Sequence, residues 1–74
     1  MSDISEKVLA LSKPYFGPAT ESFLQRQCKS HLNIEVADLA RSHLPELAKW
    51  VETSGQLIMD ATKAGEIAKK IAAL

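Results

Sequence analysis

The 74-residue chain has little of what most functional classes require. It contains one cysteine, Cys28, so no disulfide can form within it, which is typical of a protein from the reducing cytoplasm. It has no apolar run near the ~20 residues of a membrane-spanning helix. Its first residues lack the basic start and the long apolar segment of a signal peptide. We therefore expect a cytoplasmic protein with no membrane partner.

The chain also has no net charge at neutral pH. Nine basic and nine acidic side chains cancel, and neither sign forms a block. Because nucleic-acid binders usually carry a basic face, this balance disfavours a nucleic-acid partner. The chain is short as well, and a domain of this size buries only roughly 60% of its unfolded surface. That leaves little room for both a core and a deep substrate pocket, so an enzyme is not expected.

Two helical patterns meet at residues 15–20, which hold the only Gly-Pro pair of the chain. Gly17 can adopt a positive φ and end the preceding helix, whereas Pro18 suits the first turn of the next. Ser2 or Asp3 can cap the first helix, and Pro14 predicts its end near residue 13. The apolar face of this helix is predicted to contain Ile4, Val8, Leu11 and Tyr15.

The second predicted helix runs from Pro18 to about His31. Asn33 is a candidate cap for a short third helix. The inward-facing residues are predicted to be Phe23, Leu24, Gln27, Cys28 and His31 in the second helix, and Val36, Leu39 and Ala40 in the third.

Pro45 is well placed to open a fourth helix. Gly55 either ends it or permits a close approach within a longer one, and the continued apolar stripe favours the longer helix. The last helix begins after Asp60 or Thr62. The buried residues are predicted to be Leu47, Ala48, Val51, Ile58 and Met59, followed by Ala64, Ile67, Ala68, Ile71, Ala72 and Leu74. No strand-like alternation or repeat occurs. The prediction is an all-α fold, a compact bundle of four to five short helices in a single domain, residues 1–74.

Only one pair of side chains has the spacing of a possible metal or catalytic site. Cys28 and His31 lie one helical turn apart and could face a common point, but a zinc site needs three or four ligands. A cysteine nucleophile would need a lowered pKa and an oriented base, and no residue is indicated as the orienting group. A buried cysteine near a helix end explains the pair better. No catalytic residue, metal or cofactor is therefore predicted, and a thiol or metal site at this pair is a third, weaker hypothesis.

A helix-turn-helix is the alternative function, using residues 36–54. Two short predicted helices meet at residues 42–45, a length that such a motif tolerates. The second helix would present Glu46, Lys49 and Glu52, and its two carboxylates would oppose DNA phosphates.

Trp50 lies at the flank of the predicted buried stripe of the fourth helix. It can cover the edge of the core or serve as an anchor for a partner, since tryptophan is enriched at binding hot spots. Beside Leu44 or Leu47 it would form a sizeable apolar patch, with Lys49 and Glu52 setting the orientation of the partner. These five residues are the predicted partner-binding site. The partner is another protein or a second copy of the chain.

The segment after residue 16 resembles the opening of helical modules attached to bacterial signalling proteins, where they follow kinase or response-regulator domains. Gly17, Pro18, Phe23, Leu24 and Arg26 match that pattern in order. Thr20 stands where the modules usually have alanine. The resemblance implies a non-catalytic accessory domain, with no catalytic residue to carry over. Together with the composition, it predicts a protein-interaction or regulatory module of bacterial signalling.

Overall fold

The computed structural model describes residues 2–74, which contain helices and turns but no strand. The α-helices are α1 (Asp3–Phe16), α2 (Thr20–Gln27), α3 (Leu44–Gly55) and α4 (Ala61–Ala72). Single 3₁₀ turns span Gly17–Ala19, Val36–Asp38 and Arg41–His43, and a π-helical turn spans Cys28–Leu32.

The prediction of an all-helical fold is confirmed, whereas the predicted number of helices is wrong. Only α1, α3 and α4 reach twelve residues or more, and α2 has eight. The structure is thus built on three long helices instead of four to five, because most of the segment between α2 and α3 forms isolated turns.

The first helix is longer than predicted. Its N-terminus is capped as expected, because the Oγ of Ser2 accepts a hydrogen bond from the backbone N–H of Ser5 at 3.1 Å. Pro14 does not end α1; it lies within the last turn of the helix, where it removes one backbone hydrogen bond. The helix continues until Phe16 is buried against Phe23, with ring centroids 4.3 Å apart. Gly17 then ends it with φ 57°, as predicted.

The buried face of α1 is rotated relative to the predicted one. Val8 is fully buried, but Ile4, Leu11 and Tyr15 are only partly covered. The fully enclosed positions beside Val8 are Ser5 and Ser12, whose small side chains let neighbouring elements approach closely. A count of apolar residues cannot find this face, since serine is usually an exposed residue.

The predicted third helix does not form. Asn33 is the left-handed residue, with φ 58°, that ends the π-helical turn, so it is not a helix N-cap. Val36 and Leu39 are nevertheless buried as predicted, whereas Ala40 is exposed. Side chains hold this irregular segment: the Oγ of Ser2 donates to the carbonyl of Leu39 at 2.7 Å.

Helix α3 begins with Pro45 in its first turn, as predicted, but it ends at Gly55. The prediction of a longer helix is therefore wrong. Gly55 also permits a close approach, since a Cβ built on it would lie 3.3 Å from the Cβ of Ala64 in α4. Beyond it, Ile58 is exposed and Met59 is only partly buried, although both were predicted to be inside.

Helix α4 begins after Asp60, whose Oδ1 accepts from the backbone N–H of Lys63 at 2.8 Å. Its buried residues are Ala64, Ile67, Ala68 and Ile71, while Ala72 is exposed and Leu74 is partly covered. Ile67, Ala68 and Ile71 join residues of α1, α2 and α3 in one core cluster, and the molecule measures 28 × 23 × 20 Å.

Candidate docking surface

The five residues predicted to bind a partner do not form one surface patch in the structure. Leu44 and Leu47 are 1% and 0% exposed, so they belong to the core and cannot form a surface patch. Lys49 and Glu52 are exposed on α3, and Trp50 is half-buried between them. The two leucines point inward because they share the buried face of α3 with Ala48 and Val51.

Trp50 is engaged by a residue of the π-helical turn. The ring of His31 stacks on it in parallel, with centroids 3.8 Å apart and an interplanar angle of 4°. The Nζ of Lys49 lies 5.4 Å from the centroid of the same tryptophan. Trp50 therefore covers the edge of the core and supports His31 at the surface.

Cys28 and His31 do not face a common point. The wider π-helical turn advances each residue by a smaller angle, so residues three apart no longer share a face. Cys28 is fully buried, and burial raises the pKa of its thiol from 9.0 to about 11. His31 is exposed and stacked on Trp50. A buried thiol with a raised pKa is the opposite of an activated nucleophile.

The segment proposed as a helix-turn-helix, residues 36–54, contains only one α-helix. Its first half consists of the 3₁₀ turns Val36–Asp38 and Arg41–His43. A helix-turn-helix needs a helix on each side of its turn. The segment therefore lacks the first helix of such a motif.

The most exposed large apolar side chains lie between α3 and α4, where no partner residue was predicted. Leu57 is 86% exposed and Ile58 is 62% exposed. The backbone places them there, because α3 ends at Gly55 and the N–H groups of Leu57 and Ile58 bond back to the carbonyls of Ser54 and Gly55. Recognition of Gly55 as a helix end, one of the two predictions considered for it, would have found this pair.

Leu57 and Ile58 border a groove of about 260 Å³, which we call the Leu57 groove. Helix α2 and the π-helical turn form its other wall. The lining residues from that wall are Phe23, Arg26, Gln27, Ser30 and His31, and those from the end of α3 and the following turn are Ser54, Leu57 and Ile58. At below ~300 Å³ the groove is smaller than most small-molecule pockets. Its size suits one or two side chains of a partner.

Internal contacts hold one wall of the groove and join it to the end of α3. Gln27 is buried, and its Oε1 accepts a hydrogen bond from the Oγ of Ser54 at 2.9 Å, which ties α2 to α3. Phe23 is held by its stacking on Phe16, and His31 is held by its stacking on Trp50. The side of the groove formed by α2 and the π-helical turn is thus preformed, which would lower the entropy cost of binding a partner.

The charge of the groove is positive. Arg26 is its one side chain with a permanent charge, and none of its lining residues is a carboxylate. Within residues 2–74 the only ion pair joins the Nζ of Lys29 to the Oε1 of Glu35 at 3.1 Å. A hydrogen bond from Gln25 and a further one from Lys29 lower the pKa of the Glu35 carboxyl. Glu35 is thus engaged elsewhere, and Arg26 has no carboxylate partner within residues 2–74.

A second groove contains the Gly-Pro pair. It measures about 490 Å³, and it is lined by α1 residues and by Gly17, Pro18, Thr20 and Glu21. No strongly exposed large apolar side chain borders it, and Lys13 and Glu21 give it both signs of charge. In the structure the Gly-Pro pair makes a turn, so it positions Phe16 and α2.

No helix among residues 2–74 combines the length and the apolar character needed to cross a membrane. In the same part of the chain, no three histidine, cysteine, aspartate or glutamate side chains are grouped in a way that could hold a metal ion. Comparisons of the chain with protein-family models, with curated proteins and with solved structures find no match.

Proposed function

We propose that this chain is a non-catalytic, cytoplasmic protein-interaction module of bacterial signalling that docks another protein in the Leu57 groove. The observation that carries the proposal is the exposure of Leu57 and Ile58, at 86% and 62%, beside a groove whose opposite side is preformed. Burial of apolar surface contributes roughly 25 cal/mol per Å², so covering both side chains would stabilise a complex.

Trp50 was predicted to anchor the partner, but in this proposal it has a supporting role. It supports His31, which lines the groove, and its partly exposed ring extends the surface along α3. Lys49 and Glu52 are exposed on α3 but do not line the groove, so they would act on a partner only at longer range, where charges affect the association rate more than the affinity. Leu44 and Leu47 contribute through the core alone.

The position in bacterial signalling rests on the resemblance of the Gly-Pro segment to signalling accessory modules. Such a module would dock a partner beside a kinase or response-regulator domain. The fully buried Cys28 thiol, with its pKa of about 11, agrees with a role that needs no nucleophile.

The test compares three baits in pull-downs from a native extract: the wild type, the double variant Leu57→Ser/Ile58→Ser, and the control Lys7→Ser on the exposed side of α1. Substitutions at such exposed positions usually change the free energy of unfolding by less than ~0.5 kcal/mol. We expect proteins that the wild type and the control retain and the double variant loses. An identical set for all three baits would contradict docking in the groove.

Two further measurements separate the alternatives. Light scattering over a concentration series shows whether the partner is a second copy. In that case the measured mass of the wild type would double at high concentration, and Leu57→Ser would prevent the doubling. Retention on duplex DNA at low salt, falling steeply as salt rises, would favour the DNA-binding alternative. We expect a monomer and no retention.

A further inference from the structure

We infer that the occupant of the Leu57 groove is an acidic amphipathic helix of another protein, with an apolar side chain in the groove and a carboxylate one turn away that pairs with Arg26. This inference rests on the proposed function and names the chemistry of the partner. Three features support it: the charge of the groove, the size of the apolar surface and the effect of two-fold symmetry.

The charge of the groove selects an acidic partner. The chain as a whole is neutral, with nine charges of each sign, yet the lining has Arg26 and no carboxylate. The one ion pair of residues 2–74, Lys29–Glu35, lies outside the groove. Arg26 can therefore form a bidentate pair with an incoming carboxylate without breaking an existing ion pair.

The size of the apolar surface disfavours a second copy as the occupant. A stable interface buries about 800 Å² on each partner, and the described chain has 4371 Å² of accessible surface in total. Such an interface would cover roughly a fifth of the molecule. Among residues 2–74, only two large apolar side chains are strongly exposed at the groove, which suits a single helix of a partner better than a whole second copy.

Two-fold symmetry adds a repulsive term. In a symmetric dimer whose two-fold axis passes through the groove, the groove of one copy would face the groove of the other. Arg26 would then meet a lining that contains no carboxylate and a second Arg26. A helix from another protein avoids this repulsion, and its one-turn spacing can place an apolar group and a carboxylate on the same side.

The experiment selects binders from a displayed library of amphipathic helical peptides, with the positions around the apolar face randomised. Four baits are used: the wild type, Arg26→Glu, Leu57→Ser/Ile58→Ser, and Lys7→Glu. The last variant changes the net charge as much as Arg26→Glu does, but on α1, outside the groove lining.

We expect the wild type and Lys7→Glu to enrich peptides with aspartate or glutamate three or four positions from an apolar anchor. Arg26→Glu should reverse this preference towards lysine and arginine, with an affinity for the acidic peptides about fivefold lower, as expected for reversal of an exposed charge pair. The double variant should enrich no such family.

The remaining outcomes separate the two proposals. Peptides that need Leu57 and Ile58 but show no acidic preference, or bind Arg26→Glu equally well, would overturn the inference and leave docking in the groove intact. Peptides indifferent to the double variant, or no enrichment by the wild type, would overturn both. A concentration-dependent dimer that Leu57→Ser dissolves would replace the helix with a second copy.

Discussion

At the scale of single residues, two serines of α1 occupy fully buried positions with different bonding. The Oγ of Ser5 donates to the carbonyl of Ser2 at 2.8 Å. The Oγ of Ser12 has no hydrogen-bond partner among the described residues. A buried hydroxyl without a partner loses its hydrogen bonds to water and gains nothing in return. The two serines therefore form a matched pair for measurement.

Ser12→Ala is expected to raise the free energy of unfolding by about 1 kcal/mol, because it removes an unpaired buried hydroxyl and favours the helix. Ser5→Ala is expected to lower it by about 1 kcal/mol, because it removes a bonded one. Urea unfolding of both variants at neutral pH measures the difference. Equal destabilisation by the two changes would show that the Ser12 hydroxyl is bonded.

Because of Cys28, the free energy of unfolding should fall as the pH rises into the alkaline range. Burial raises the pKa of its thiol from 9.0 to about 11, so the folded protein holds this proton more tightly than the unfolded chain. Its contribution is full below pH 9.0 and is lost progressively as the pH rises to about 11. Cys28→Ala is expected to be less stable at neutral pH but to show a shallower fall in stability over this window. Parallel curves for the two proteins would contradict a raised pKa.

At the scale of elements, the close approach of α3 and α4 depends on small residues. A Cβ on Gly55 would lie 3.3 Å from the Cβ of Ala64, whereas a Cβ on Gly65 would meet only the movable Oε2 of Glu52, at 3.5 Å. The effect of a larger side chain therefore differs between the two glycines. At Gly55 it depends on the packed neighbour in α4, whereas at Gly65 it depends on helix propensity alone.

Gly55→Leu is expected to lower the free energy of unfolding by about 1–3 kcal/mol, because a larger side chain forces the helices apart. Gly65→Ala is expected to raise it by about 0.5–1 kcal/mol, because alanine is the better helix former. Thermal and urea unfolding of both variants measure these changes. Tolerance of leucine at position 55 would mean that the helices are not in contact there.

Several element ends were predicted correctly, but the end of α1 was not, because Pro14 predicts an end near residue 13 and the helix runs to Phe16. Ser2 and Asp60, each one of two candidate caps, do cap helices; Gly17 ends a helix, and Pro45 lies in the first turn of one. Asn33 was misread because asparagine suits both an N-cap and the left-handed end of a helix, and the sequence does not distinguish them.

The candidate site was missed for a related reason. An apolar stripe that continues past Gly55 reads as a longer helix, which would bury Ile58. In the structure α3 ends at Gly55, which lies close to Ala64 of α4. Periodicity therefore predicted the buried side of α3, including Leu47 and Val51, but not where that helix stops.

At the scale of the whole molecule, the core and the candidate docking surface consist of different residues. The core cluster joins residues of α1, α2, α3 and α4, including Leu44 and Leu47 of α3, whereas Leu57 and Ile58 are not part of it. Substitutions at these exposed positions should therefore abolish docking without unfolding the protein, which makes the proposed function separable from stability.

Site-specific photocross-linking in the cells that express the chain tests docking most directly. A benzophenone side chain replaces Leu57 in one variant and the exposed Lys7 of α1 in another. We predict that irradiation yields an adduct heavier than the chain from position 57 and none from position 7, and that Ile58→Ser lowers the yield at position 57. No adduct at position 57, or equal yields at the two positions, would contradict docking in the Leu57 groove.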